Sequence, residues 1–500
     1  MSNHLFDGLF ETCNPESPLA YLPDGRSYSY QGALDMSAQF ANLLQSYGVQ
    51  KGDRVAVQVP KSIEAALLYI GCVRLGAVFL PLNTAYTASE VSYFLGDALP
   101  ALFVCAPDTQ SDMMAVADEH NIRLETMGAD AGTLISAAHE ADTAFDNAVC
   151  APDDLAAILY TSGTTGRSKG AMLSHDNLLS NSNSLKELWQ FTPDDTLLHA
   201  LPIFHTHGLF VAINVTLATG ASMIFLPSFN LDDIISHLPR ASVMMGVPTF
   251  YTRLLGDMRF SKELVAHMRL FISGSAPLLA ETHIQFEDLT GQKILERYGM
   301  TETNMNTSNP YNGDRRAGTV GFPLPGVSVK ICDPETGDEL ADDAIGILEV
   351  KGPNVFSGYW NMPEKTAEEL RDNGFFITGD LAKRDADGYI HIVGRSKDLI
   401  ISGGYNIYPK EVELALDEEE GVLETAVIGV PHSDFGEAVI AVIVCDGAGF
   451  DETRVMTNIK SKLARFKQPK QIIVVDALPR NTMGKVQKNI LRDNYADLLK

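Results

Sequence analysis

Apolar and polar positions alternate along this chain in two different ways. Through the first 300 residues, short apolar runs of strand length are followed by amphipathic segments of helical length. DRVAVQVP (53–60) precedes SIEAALLYIGCVRLG (62–76), ASMIFLP (221–227) precedes NLDDIISHL (230–238), and ASVMMGVP (241–248) precedes TFYTRLLGDM (249–258). Such alternation predicts layered α/β structure with much parallel sheet. From about residue 318 the pattern shortens. VSVKICDPETGDEL (327–340) and YIHIVGR (389–395), with turn signals at Thr336-Gly337 and Asp387-Gly388, predict a small β-rich subdomain.

A polar, glycine-rich stretch, GRSKDLIISGGYNIYP (394–409), sets off the last hundred residues. There Pro409 before KEVELAL predicts a helix start. Two strands (424–430 and 438–444), a helix (455–466) and a strand (471–476) complete an α+β unit. The expected fold class is therefore α/β. A large N-terminal domain of layered sheets (1–396, its β-rich subdomain about 318–396) is followed by a small α+β domain (397–500).

Composition narrows the function. The chain has 500 residues, 45% of them hydrophobic, and 38 basic residues against 64 acidic ones, a net charge of −26. That balance argues against general nucleic-acid binding, which depends on neutralising phosphates. Any anionic substrate must meet dedicated local cations. The six cysteines, at 13, 72, 105, 150, 332 and 445, share no C-x-x-C spacing. They read as thiols of a reducing compartment rather than disulfides or a zinc site. The first residues carry no secretory pattern. The most apolar window (208–227) is interrupted by Asn214, Thr216, Thr219 and Gly220, so it predicts a helix and a buried strand rather than a membrane span. A cytoplasmic protein without membrane partners is expected.

Chemistry enters at ILYTSGTTGRSKGAMLSH (158–175). Two apolar runs flank a loop with glycines at 163, 166 and 170, hydroxyls on Thr161, Ser162, Thr164 and Thr165, and cations on Arg167 and Lys169. Glycines let the backbone approach a ligand, and successive N–H groups form an anion-binding concavity. The loop does not fit G-x-x-x-x-G-K-[ST], since Ser168 and Gly170 flank Lys169.

It resembles instead the TSGTTGxxKG signature of adenylate-forming enzymes: acyl-CoA synthetases, luciferases and peptide-synthetase adenylation domains. Ser168 stands where that signature usually has proline. SGSAPL (273–278), ERYGMTET (296–303), ITGDLAKRDADGYIHIVGR (377–395), SGGYNIYPKEVE (402–413) and PRNTMGKVQK (479–488) extend the likeness, in order, nearly to the end of the chain.

The resemblance implies activation of a carboxylate by ATP and Mg²⁺ to an acyl-adenylate, then transfer to a thiol. Carboxylates suit Mg²⁺, and Glu302 is the natural ligand, with Thr165 as second candidate. By resemblance Thr301 contacts the α-phosphate and Lys485, after Gly484, bridges it to the substrate carboxylate. Asp380 and Arg395 hold the ribose. Gly274, Ser275, Ala276 and Pro277 form the adenine wall, and Tyr298 and Gly299 belong to the same nucleotide site. Lys397 is the hinge about which the small domain moves. Gly403, Gly404 and Tyr405 line a pantetheine channel. No carrier segment follows, so the thiol is expected to be coenzyme A. Because acetylation would delete the charge of Lys485, a protein acetyltransferase is an expected partner.

The acid is read from LPIFHTHGLF (201–210) and ERYGMTETNMNTS (296–308). His205, Thr206, Ser273, Arg297 and Met305 form a set that resembles malonyl-CoA synthetases. An apolar acyl tunnel would not hold a cation, because an unpaired buried charge is costly. A distal carboxylate needs one, and arginine supplies a bidentate fork. Arg297 is the first choice and Arg253 the second. Methylmalonate or oxalate ligation, a luciferase-like oxygenase and a non-enzymatic nucleotide sensor are the competing readings.

Overall fold

The computed structural model describes residues 2–499 apart from 130, 162–167, 403–404, 433–434, 447–448 and 482–483, and the backbone only of Ser461. Two compact units emerge: Met1–Ser328 with Val350–Phe376, and Val329–Glu349 with Ile377–Lys500.

The first unit is built on two sheets. In the larger, the strands run in the order Phe322–Pro323, Asn304–Ser308, Leu295–Met300, Leu270–Ser273, Val243–Gly246, Thr196–His199, Ser222–Phe225, Pro18–Tyr21 and Ser27–Ser29. The six from Leu295–Met300 to Pro18–Tyr21 are parallel to one another, and the strands outside them pair antiparallel. The second sheet runs Arg123–Thr126, Leu102–Cys105, Arg54–Gln58, Val78–Pro81, Leu155–Thr161 and Lys169–Ser174. Its last two strands pair antiparallel, with Thr161 opposite Lys169.

One helix shows why these sheets share a core. Ile63–Leu75 starts with the Ser62 hydroxyl accepting from the amide of Ala65 and ends at Gly76 (φ +75°). All of its residues are buried. Tyr69 lies 5.4 Å from Phe79 of the smaller sheet and 5.6 Å from Phe210, which leads towards the larger one. A helix apolar on every face belongs between layers. Its two charges are satisfied: Tyr28 donates to Glu64 at 2.7 Å, and Arg74 donates to Asn147 and to the carbonyl of Leu34, both at 2.7 Å.

The expected strand–helix pairs are present at Arg54–Gln58 and Ile63–Leu75, Ser222–Phe225 and Leu231–His237, and Val243–Gly246 and Pro248–Leu255. The window 208–227 forms a helix and then a buried strand, but the first turns, His207–Ile213, are π-helical. No helix among the described residues is long and apolar enough to cross a membrane. All six cysteines are free thiols.

The second unit holds most of a four-stranded sheet in the order Ser328–Cys332, Gly346–Lys351, Phe376–Arg384, Ile390–Arg395. It also holds a five-stranded sheet centred on the antiparallel pair Val422–His432 and Gly436–Cys445. The expected division at 397 differs from this grouping. Residues 329–349 and 377–396 pack with the C-terminal block, because Ile390–Arg395 meets the helix Pro409–Asp417. The expected separator at 394–409 also differs: Ile400–Ser402 and Tyr405–Ile407 pair as a hairpin and join the five-stranded sheet through Ser402 and Gly436. Periodicity misses strands of three residues, which are too short to alternate.

One ion pair ties the larger sheet together. Arg269 donates Nε to Asp195 Oδ1 at 2.7 Å and Nη2 to Oδ2 at 2.6 Å. Asp195 also accepts from Ser242 at 2.7 Å. Burial works to raise this carboxyl, but these bonds outweigh it and hold it below the usual range. Arg269→Met leaves a buried carboxylate unpaired and should cost about 3–5 kcal/mol. Below about pH 4 the gap should narrow. The stability from a depressed carboxyl is present above its unfolded value and lost as pH falls through the folded one. Denaturant unfolding of both proteins between about pH 2.5 and pH 7 checks this; a gap unchanged below about pH 4 would refute it.

Candidate active site

The parallel strands of the larger sheet end along one edge, the usual place for a ligand in an open α/β sheet. Gly246, Ser273 and His199 close three of these strands. Arg297, within Leu295–Met300, lies in the adjoining strand. Its guanidinium packs flat on Gly274: a Cβ there would sit 2.4 Å from Cζ of Arg297. Glycine at 274 is thus required by close approach. Neighbouring side chains on a strand point to opposite faces. Glu296 accordingly turns away and accepts from the amide of Leu278 at 3.1 Å.

Arg297 is 3% exposed, and its Nε and Nη2 are buried without hydrogen-bond partners. Burial pushes its pKa down to about 9, against the pull of Tyr251 and Glu296, so it stays charged at neutral pH. Other unpartnered polar atoms accompany it: Ser273 Oγ, His207 Nε2 and Asn304 Nδ2. His207 Nδ1 lies 3.1 Å from Ser275 Oγ. Burial first, then the charge of Arg297, lowers the His207 pKa far enough that the ring is neutral. Ser275 has φ +71°, a strained value for a serine.

Thr206 donates to Asn304 Oδ1 at 2.6 Å. The Met305 side chain is 1% exposed, and its methyl lies where a Cβ on Gly299 would come within 2.7 Å. Asn354 holds this floor rigid by donating to the carbonyls of Thr303 at 2.7 Å and Met305 at 3.1 Å. His205 stands 4.7 Å from Phe204, ring to ring. Ser273, Gly274, Ser275, Arg297, Thr206 and Met305 thus lie in one unit, around strand ends and the turn that follows them. Arg253 is different. It is exposed on Pro248–Leu255, 5.6 Å from the Phe229 ring, and is unsuited to hold a buried carboxylate.

Glu302 follows Thr301 in the turn after Leu295–Met300 and is 5% exposed. The Tyr359 hydroxyl lies 3.1 Å from its Oε1. Hard carboxylate oxygens suit Mg²⁺. Lys169 does not reach into open space. Its Nζ lies 3.2 Å from Glu369 and 3.0 Å from the Tyr359 hydroxyl. Thr161 and Lys169 are joined by a bond of 3.4 Å from the Thr161 hydroxyl to the Lys169 carbonyl. Ser162, Gly163, Thr164, Thr165, Gly166 and Arg167 lie outside the described residues, as do Gly403 and Gly404. Tyr298 is half-buried, 3.9 Å from the Met300 sulfur; Ala276 is half-buried and Pro277 exposed.

In the second unit, Asp380 and Arg395 face each other across antiparallel strands, with Nε to Oδ1 at 2.9 Å. Asp380 is 4% exposed. Lys397 sits in the 3₁₀ turn Ser396–Asp398 and is exposed, its pKa lowered by partial desolvation and by Arg395. Lys485 is exposed on a tight turn after Gly484 (φ +74°), closed by the Asn481 amide on the Lys485 carbonyl at 2.9 Å. Tyr405 is exposed and stacks on Phe466 with centroids 4.5 Å apart.

Three residues escape the sequence reading: His207, Tyr359 and Glu369. His207 carries a weak signal, as the second histidine of FHTHG. Tyr359 and Glu369 carry none, because they meet Lys169 only through the fold.

The family comparison matches residues 11–360 to AMP-binding enzymes and 411–485 to the AMP-binding enzyme C-terminal domain. The malonate–CoA ligase of Arabidopsis thaliana is 34% identical over 98% of this chain and 90% of its own. A long-chain-fatty-acid–CoA ligase of Bacillus subtilis is also 34% identical, over 95% and 91%. The crystal structure of ATP-bound MatB from Rhodopseudomonas palustris superposes with a TM-score of 0.98 at 58% identity over the whole of both chains. The chain belongs to the AMP-binding enzyme family.

A buried cation with unpaired donors weakens the fold that holds it. Arg297→Met should therefore raise stability, by about 1–4 kcal/mol, as replacement of buried charges by apolar groups of like volume often does. Gly274→Ala should lower it by roughly 1–3 kcal/mol through overpacking, and the double variant should recover most of that loss. Thermal unfolding of the three proteins is the check; additive effects would separate Arg297 from Gly274.

Proposed function

We propose that the chain is an AMP-forming acid–CoA ligase that converts malonate to its CoA thioester through an acyl-adenylate. The observation that carries the choice of acid is Arg297, a buried guanidinium with two donor groups unpaired beside Ser273 and His207. Overall similarity does not select the acid, since identity to the malonate and the long-chain ligases is the same 34%. A long apolar chain would leave Arg297 unpaired; a distal carboxylate pairs with it. Thr206, pinned to Asn304, and Met305, lying on Gly299, leave a short floor suited to a small backbone.

In this reading the carboxylate to be activated is repelled by the phosphates of ATP, and the protein's task is to place cations where negative charge builds up. Magnesium, when bound, supplies that neutralisation at the triphosphate. Glu302 is assigned as its ligand, with the Tyr359 hydroxyl beside it. Arg297 fixes the distal end of malonate, so the reacting carboxylate is presented in one orientation, which lowers the entropic part of the barrier. By family resemblance, Asp380 and Arg395 take the ribose, Lys485 bridges the α-phosphate and the carboxylate, and Lys397 is the hinge for the thioester step. Acetylation at Lys485 would then silence adenylation.

A panel of acids with ATP and CoA is the direct test. Malonate should exceed acetate and propionate, and Arg297→Met should cut the malonate-to-acetate ratio of kcat/KM by roughly 10²–10³, as breaking a buried charge pair predicts. An unchanged ratio would remove Arg297 from the acid site. Lys485→Ala should separate the half-reactions. Pyrophosphate release from malonate and ATP should fall by at least about 10², whereas thioester formation from pre-made malonyl-adenylate and CoA should stay within a few-fold. Equal losses in both would reject its assignment to the first step alone.

A further inference from the structure

A lysine in a phosphate-binding loop is expected to be open to its ligand. Lys169 is instead engaged on every side. Its Nζ lies 3.3 and 3.2 Å from the two carboxylate oxygens of Glu369 and 3.0 Å from the Tyr359 hydroxyl, and it rides 4.1 Å above the centroid of the Tyr359 ring. The pair is well shielded, with side chains 16% and 23% exposed. Tyr359, 3% exposed, stands between two carboxylates: 2.6 Å from Glu369 Oε2 and 3.1 Å from Glu302 Oε1. A phenol has one proton, so Tyr359 serves one of them at a time. The shorter distance assigns it to Glu369. Burial works to raise the Glu369 carboxyl, but the bonds from Tyr359 and Lys365 and the charge of Lys169 outweigh it and hold the group ionised.

A second cation makes this arrangement reversible. Lys365, one turn earlier on the helix Pro363–Glu369, lies 3.0 Å from Glu369 Oε1. If Lys169 leaves, Glu369 keeps Lys365 and Tyr359 and is not stranded. Lys169, by contrast, has no other carboxylate within ion-pair distance among the described residues, so it can leave only for another anion.

We propose that Glu369 is the resting counter-ion of Lys169, and that nucleotide binding exchanges this carboxylate for a phosphate oxygen. Glu369 is then a positioning residue. It keeps the loop lysine oriented before ATP arrives, and it sets ATP affinity by competing for the same ammonium. Tyr359 couples the exchange to Glu302, because its single proton tightens on whichever carboxylate is left more negative. The proposal rests on the reading that the 161–170 loop receives the phosphates of ATP.

The test is a double-mutant cycle read by calorimetric titration of the full chain with ATP and Mg²⁺, with neither acid nor CoA present. Glu369→Gln keeps the shape and removes the competing charge; it should bind ATP about three- to tenfold more tightly, the range expected when a partly buried competitor is removed. Lys169→Gln should bind more weakly. The double variant should match Lys169→Gln alone, because Glu369 acts through Lys169. A Glu369→Gln protein with unchanged or weaker affinity overturns the proposal. So does an equal tightening in both backgrounds, which would mark a general charge effect. Should Glu369→Gln fail to fold, Glu369→Asp retracts the charge by one methylene and should tighten binding by a smaller factor, again only when Lys169 is present; tightening without Lys169, or none at all, counts against the idea. Absence of ATP binding by the unaltered protein would overturn the nucleotide reading and this exchange together. ATP binding with an additive cycle would overturn the exchange alone.

Discussion

A guanidinium buried without an anion is the constraint around which the first unit is arranged. Arg297 is placed inside by the regular alternation of the strand Leu295–Met300, and it fits only because residue 274 has no side chain. Its cost to the fold is borne by a large apolar core that spans both sheets through the helix Ile63–Leu75. A protein of net charge −26 cannot attract a dianion by its overall field, so the attraction must come from a short-range, desolvated cation, where Coulomb energies are largest.

The two cations of this unit are handled in opposite ways. Lys169 rests on Glu369, with its charge matched before any ligand binds. Arg297 has unpaired donors and a neutral histidine, His207, beside it. The difference follows from exposure and stiffness. Lys169 is a flexible point charge at the base of a loop and can exchange partners. Arg297 is a rigid fork held between backbone and core and cannot. Selectivity for an acid suits the second kind of group, and response to a nucleotide suits the first.

Hydrogen bonds from asparagines give the region around Met305 its rigidity. Asn354 and Asn181 both donate to the carbonyl of Met305, and Asn309 donates to the carbonyls of Glu296 and Thr319. The turn 300–304 between two strands would otherwise have free backbone groups in a buried place, which is costly. These amides make it a fixed wall carrying Thr301, Glu302 and Met305. A π-helical segment, His207–Ile213, is of a rare type that often appears at functional sites.

The sequence by itself determined the strand–helix alternation, the two strands that flank the phosphate-loop sequence, the turn glycines at 337 and 388, and the family, because each depends on local spacing and residue type. It also singled out Arg297, through the likeness of ERYGMTETNMNTS to malonyl-CoA synthetases and the need of a distal carboxylate for a cation. Only the tertiary structure buried Arg297 and left Arg253 exposed, because burial depends on what packs above a residue and not on its neighbours in the chain. It alone brought Glu369 and Tyr359 to Lys169 across some 200 positions of chain, and it alone grouped residues 329–349 and 377–396 with the C-terminal block. Pairings at such separations are set by the global packing of sheets. A period of two or 3.6 residues carries no information about them.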